Sequence, residues 1–337
     1  SRLPFKPSTL NRLTSSSMQQ LLLLLLYFAS AALASSNCGI RLSNRGRGIL
    51  GHLGRVSSRN EVSTTGKWPW QIMLREKQYR DNGTSFINMC GGTIIGAQWI
   101  LTAAHCVRYS QNGIDVTVKD AFVFAEVTSM EMDNVVDSMI DNHVYRMRDA
   151  FPHDNYTNKE YPHDIALIKL ENPIEFDRSV SPICLPNSAQ DIPSDGQAVV
   201  IGFGQSSIRG TNEAIRDGNL RETIVPIVGE HICEARWTNL LDITGEKWRE
   251  NRVICAGAYG HDTGSGDSGG PLMMKSSDGR WFQIGVTSFG NPSTEADLFP
   301  GLYTDVREYC DWINDTTKGE VKCQEKEVKL RDVEIKI

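Results

Sequence analysis

A serine framed by glycines, in Gly266-Asp267-Ser268-Gly269-Gly270-Pro271, is the side chain of this sequence best placed to do chemistry. Glycines on either side permit a sharp turn that exposes the hydroxyl and frees backbone N–H groups to bind an anion. Gly-rich turns are abundant, so the serine becomes a nucleophile only with a base, and the base needs an orienting carboxylate. Seven histidines compete for that role. His52 precedes the body of the chain, His143, His153 and His163 sit in polar, loop-like sequence, and His261 is the last of all. A hydrolase whose histidine follows a Gly-x-Ser-x-Gly serine is therefore excluded. An Asp–His–Ser order has only Asp81 ahead of His105, which leaves the order His, Asp, Ser. His105 closes Trp99-Ile-Leu-Thr-Ala-Ala-His105-Cys106, an apolar strand ending in small residues, and Asp164 opens Asp164-Ile-Ala-Leu-Ile-Lys-Leu. Each alone also fits a plainer role, as a buried histidine and a strand-start cap.

The elements that must position these groups read as short strands. Thr93-Ile-Ile and Trp99-Ile-Leu flank a turn containing Gly96. Ile165–Leu170, Ala198–Gly202, Thr223–Val228 and Trp281–Val286 are further apolar, β-branched runs bounded by turn residues. That pattern argues for an all-β sandwich or barrel. Helical periodicity is absent until Val306–Asn314. With 337 residues and 40% apolar content the chain can bury a substantial core. A net charge of −6 supplies no global positive field for nucleic acid.

The chain divides into residues 1–34, a leader and signal peptide, then 35–55, a propeptide or light chain, then the 56–317 body and a charged 318–337 tail. Leu21–Leu26 begin a short apolar run ending in Ala32 and Ala34, the layout of a secretory signal; a signal anchor is the alternative. Residues 1–17 precede the first Met, Met18, and read as leader sequence ahead of translation. Eight cysteines with no Cys-x-x-Cys pair point to disulfides in an oxidising compartment. Sequons at Asn82, Asn155 and Asn314 fit the same route. The tail, mixing Lys and Glu, reads as a solvated extension.

At the level of motifs the sequence resembles the trypsin-like (chymotrypsin-fold) serine protease family. Thr102-Ala-Ala-His105-Cys106 is similar to its histidine motif, Asp164-Ile-Ala-Leu to its aspartate motif, and Gly266-Asp-Ser268-Gly-Gly-Pro to its serine motif, in family order. Trp68-Pro-Trp-Gln71, Gly202-Phe-Gly204, Ser288-Phe-Gly290 and Gly301-Leu-Tyr303 match landmarks between them. The resemblance implies two six-stranded antiparallel β-barrels with a short C-terminal helix and an active site in the cleft between barrels. It implies that His105 takes the proton of Ser268, that Asp164 orients His105, and that the N–H groups of Gly266 and Ser268 form an oxyanion hole. Asp262 stands six residues before Ser268, and the resemblance implies that it forms the base of the primary pocket and selects Arg or Lys. Thr263, Ser288, Gly290 and Gly301 complete the expected substrate-binding set.

Activation in the family frees an apolar N-terminus that pairs with the residue before the serine, here Asp267. Arg55-Val56 is the expected cleavage site, although Ser58 and Arg59 stand where glycines are usual; Arg47 is a rival with too long a spacing. The resemblance implies the bridges Cys38–Cys184, Cys90–Cys106 and Cys233–Cys255, leaving Cys310 and Cys323 to each other. Two further family bridges are missing as whole pairs. Gly264 stands for one cysteine, with none between Gly290 and Gly301, and Ala198 and Met274 replace the other pair. Phe289 replaces a usual Trp at the pocket rim. The reading is a secreted, extracellular zymogen acting on protein or peptide substrates, with an activating protease and protein inhibitors as partners. It implies no cofactor, metal, nucleic acid or stable membrane span. The alternative is a catalytically silent homologue that acts as a regulatory binding protein.

Overall fold

The structure is a computed structural model and describes residues 38–41, 61–63, 67–128, 143–157, 163–207, 214–215, 218–241, 252–258, 262–290 and 299–332. The leader, Arg55 and Val56 lie outside the described residues. The strands are β1 (Glu61–Val62), β2 (Gln71–Tyr79), β3 (Ser85–Gly96), β4 (Trp99–Thr102), β5 (Arg108–Gln111), β6 (Ile114–Thr117), β7 (Ala121–Ala125), β8 (Val144–Pro152) and β9 (Ala166–Leu170). They continue as β10 (Gln197–Gly202), β11 (Ser206–Ser207), β12 (Ala214–Ile215), β13 (Arg221–Val228), β14 (Val253–Ala256), β15 (Pro271–Ser276), β16 (Trp281–Phe289), β17 (Gly301–Asp305) and β18 (Leu330–Arg331).

β2, β3, β4, β9, β8 and β7 close into one antiparallel barrel. Period-two alternation builds it: Ile72, Leu74 and Glu76 are fully buried on β2 while Arg75 and Lys77 are partly exposed. β13, β10, β15, β16, β17 and β14 close a second six-stranded ring through the β13–β14 pairing, with β1 and β18 added at its rim. Ala198 on β10 and Met274 on β15, which replace a cysteine pair, are both fully buried in the core of this barrel. Apolar packing thus occupies the position of the missing bridge. All four expected disulfides are present: Cys38–Cys184, Cys90–Cys106, Cys233–Cys255 and Cys310–Cys323. Among the described residues no helix is long and apolar enough to cross a membrane.

Two features depart from the sequence reading. The first is a helix over Glu230–Leu241. Its fully buried anchors, Cys233 and Trp237, lie four residues apart among polar neighbours, so no apolar stripe announces it. The second is the tail, which is docked rather than solvated through residue 332. Beyond the C-terminal helix Cys310–Thr316, Glu320 accepts from the Trp99 indole at 2.8 Å and from Lys169 at 3.1 Å. Val321 is buried against the first barrel, and Gln190 pairs with both backbone groups of Val328. β18 then joins β15, and Asp332 accepts from the Gln197 N–H. These are individually placed polar contacts, which net composition does not encode. Because Cys310–Cys323 closes this strap, replacing both cysteines with serine lowers stability by about 3 kcal/mol. Thermal or denaturant unfolding checks this, and an unchanged midpoint contradicts it.

Candidate active site

His105 sits on a single helical turn, Ala104–Val107, directly after β4. Ala103 and Ala104 are fully buried, so small residues let this turn press onto the barrel, and the Cys90–Cys106 bridge ties it to β3. Asp164, 1% exposed, precedes β9. Its two oxygens accept from the His105 backbone N–H at 2.9 Å and contact the His105 Nδ1 at 2.7 Å. The Ser288 hydroxyl adds a third bond to Asp164 at 2.6 Å, and Thr304 donates to the Asp164 carbonyl. Burial alone raises a carboxyl, but the charge of His105 and these hydrogen bonds outweigh it and hold Asp164 below the usual carboxylate range. Burial opposes charge on His105 too, yet the neighbouring Asp164 and, in smaller part, Glu76 raise its proton affinity above the ordinary imidazole value. The pair is thus fixed with Nδ1 turned to the carboxylate.

Backbone contacts seat the Ser268 turn against this pair. Gly266 and Gly269 adopt φ of +104° and +79°. A Cβ on Gly269 would lie 2.2 Å from the Thr102 hydroxyl and 2.5 Å from the Gly91 carbonyl, so only glycine allows the approach to the segment before His105. The Gly91 N–H donates to the Ser268 carbonyl at 2.7 Å, and Gly269 donates to Thr287, next to Ser288. The turn is therefore fastened to the histidine side in one barrel and to the Ser288 strand in the other. Among the described residues the N–H groups of Gly266 and Ser268 enter no backbone hydrogen bond.

Asp267, 7% exposed, accepts from the Gly204 N–H at 2.7 Å and the Gly264 N–H at 2.8 Å. Cβ atoms on Gly202 or Gly204 would fall within 2.4 Å of its carboxylate, which explains the glycines of Gly202-Phe-Gly204. Burial raises this carboxyl against the pull of its hydrogen bonds. Asp262 lies at the same cleft, whose lining includes Gly202, Gly204, Thr223 and Thr263. Its carboxylate abuts Gly301, where a Cβ would come within 2.8 Å, and it accepts from the Thr263 N–H. Burial, with the charge of Asp267 adding, pushes Asp262 up to about 7 against its hydrogen bonds from Thr263. Among the described residues no lysine or arginine pairs with either acid. Among the described residues nothing lies within 4 Å of where a Cβ on Gly290 would stand.

Thr263 bonds weakly through its hydroxyl to Tyr303, and Ser288, expected among the substrate contacts, directs its hydroxyl to Asp164. Trp237 is a site residue that the sequence reading missed. Fully buried, it donates to the Pro300 carbonyl at 2.9 Å and packs edge-on to Phe289 and Phe299 at 5.5 and 5.6 Å. This aromatic cluster holds the rim beside Gly301 where a bridge is lacking. Its only advance signal was a tryptophan four residues after a cysteine. The closest approach to a metal-ligand set among the described residues is Cys90, His105 and Cys106, and both sulfurs are spent in a disulfide. Asn82 and Asn155 are exposed, and Asn314 is part-buried on the C-terminal helix.

A family model described as Trypsin matches residues 58–313. The chain is 34% identical over 253 residues to a protein named "Tryptase" from Mus musculus, covering 74% of this chain and 84% of that one. It is also 34% identical over 252 residues to "Serine proteinase stubble" from Drosophila melanogaster, covering 74% of this chain but only 29% of that longer protein.

Proposed function

The chain belongs to the trypsin family of serine proteases, and from that premise we propose that it is a secreted endopeptidase, made as a zymogen, that cleaves peptide bonds after Arg or Lys. The observation that carries this reading is the His105–Asp164 pair at 2.7 Å with the Ser268 turn fastened beside it. In the proposed reaction His105 takes the proton of Ser268 as its oxygen attacks the scissile carbonyl, and then gives it to the leaving amine. Asp164 stabilises the imidazolium. The N–H groups of Gly266 and Ser268 receive the developing oxyanion, and water hydrolyses the acyl-enzyme.

Asp262, buried with no cation beside it among the described residues, is the partner for a guanidinium or ammonium, with Thr263 beside it and Gly290 and Gly301 leaving room for the substrate side chain. Cleavage at Arg55 would free Val56 to pair with Asp267, which is likewise buried with no cation beside it among the described residues. The 56–317 segment is then the protease domain, with 35–55 retained through Cys38–Cys184 as a light chain. The partners in this reading are an activating protease and protein inhibitors, and Asn82, Asn155 and Asn314 are the glycan acceptors of an extracellular protein.

The test follows hydrolysis of peptides carrying Arg, Lys, Phe or Ala before the scissile bond, before and after limited cleavage at Arg55. Activity on the Arg and Lys peptides alone, and only after cleavage, is the expected result. Cleaved protein with a verified Val56 terminus that is inert on all four contradicts it and leaves a regulatory homologue. At the rim, Trp237→Phe keeps the ring stack but loses the bond to Pro300. It raises KM for Arg peptides about fivefold with kcat within about twofold, because a loosened rim weakens substrate binding without touching the chemical step. Steady-state kinetics check this, and a change confined to kcat contradicts it.

A further inference from the structure

Glu76 is a buried carboxyl for which the proposed reaction has no use. The β2 residues that alternate with it, Ile72, Leu74 and Gln78, are all buried, and Glu76 itself is 0% exposed. Its Oε1 accepts one hydrogen bond, at 2.5 Å, from the Asn88 amide directly across the ladder. Among the described residues its Oε2 has no hydrogen-bond partner. Arg75 and Lys77 project from the other face of β2, and the opposite residue on β7 is Ala121. Burial pushes Glu76 up to about 8, with Asn88, its own backbone and the charge of His105 pulling back only in part. Its titration is thereby moved up toward the range in which His105 itself titrates, so the two protonation equilibria couple.

What lies beside it is the mounting of His105. Asn88 is two residues before Cys90, and its amide stands 4.0 Å from the Cys90 sulfur. Cys90 is bridged to Cys106, and a His105 ring nitrogen lies within 4.8 Å of both sulfurs. Carboxyl, amide, bridge and imidazole form one contiguous cluster. Among the described residues two acids act on His105, Asp164 in contact and Glu76 through space.

We propose that Glu76 is a positioning residue for catalysis, a second carboxyl acting on His105 that sets how readily the imidazole takes and keeps the proton of Ser268. The inference rests on the proposed protease reading. Its physical basis is coupled titration. An ionised Glu76 makes His105 harder to deprotonate, and a protonated His105 makes Glu76 easier to ionise.

The test is the NMR titration of the His105 imidazole in cleaved Ser268→Ala protein, with and without Glu76→Gln. Glutamine keeps the shape and a hydrogen bond to Asn88 but cannot ionise. The His105 midpoint falls by about half a pH unit in the variant, and the acid limb of kcat/KM moves equally when Ser268 is restored. An unchanged midpoint overturns the proposal. Should Glu76→Gln fail to fold, Asn88→Leu decides by the same criterion. It keeps the acid, removes the donor that favours its ionised form, and so lowers the His105 midpoint as well. Because the imidazole titration needs no turnover, an inert cleaved wild type defeats the protease reading while this measurement still reports on Glu76.

Discussion

Ser268→Ala lowers kcat/KM toward Arg and Lys peptides by about 10⁶-fold in the cleaved protein. Serine is the only group at the turn that can form the acyl bond, and His105 without a nucleophile has nothing to activate. The substitution removes one hydroxyl from a turn whose shape is set by backbone bonds to Gly91 and Thr287, so the fold is retained. Benzamidine, an amidinium probe of the pocket, therefore binds the variant within about twofold of the parent. Residual hydrolysis above about 1% of the parent contradicts the assignment, because loss of a true nucleophile removes several orders of magnitude.

Asp262→Ser lowers kcat/KM for Arg and Lys peptides by about 10⁴-fold and leaves the slow hydrolysis of Phe and Ala peptides within a few fold. The asymmetry follows from burial. A guanidinium moved into this cleft gives up its water, and Asp262 is the charge that replaces it. The same residue predicts a pH dependence. With Asp262 at about 7 in the empty pocket, benzamidine affinity falls about tenfold per pH unit below that value and is flat above it. The variant loses this acid limb. Stability moves the opposite way. The folded chain holds a proton on Asp262 that the unfolded chain releases, so this residue's contribution declines as pH rises from the ordinary carboxylate range to about 7. A bound amidinium removes the decline. Calorimetric titration across that range checks both signs, and affinity independent of pH contradicts them.

The two barrels and the site motifs were legible because their determinants are local. Trp99-Ile-Leu-Thr must be a buried strand, and the small residues after it must turn to present His105. Gly202 and Gly204 were visible as a landmark, and the structure supplies the reason, a carboxylate within 2.4 Å of where their Cβ atoms would stand. Contacts between distant segments were not legible. Ser288 reaches Asp164 across 124 residues of chain, and Trp237 reaches Pro300 across 63. The strap was misread because Glu320, Val321 and Asp332 each answer one particular partner, while composition records only an even mixture of Lys and Glu. Glu76 was hidden for a similar reason: the β2 alternation marks it as inward-facing, but nothing local shows that Asn88 and the His105 bridge lie opposite.

The measurement that bears most directly on the central claim is active-site titration of the Arg55-cleaved protein with a p-nitrophenyl ester of 4-guanidinobenzoate. The guanidinium needs Asp262, the acyl transfer needs Ser268 and His105, and the acyl-enzyme is long-lived enough to isolate. The expected result is a burst of one equivalent of nitrophenol and a guanidinobenzoyl adduct on the peptide containing Ser268, both absent before cleavage. No burst from cleaved, folded protein, or an adduct on any other residue, contradicts it.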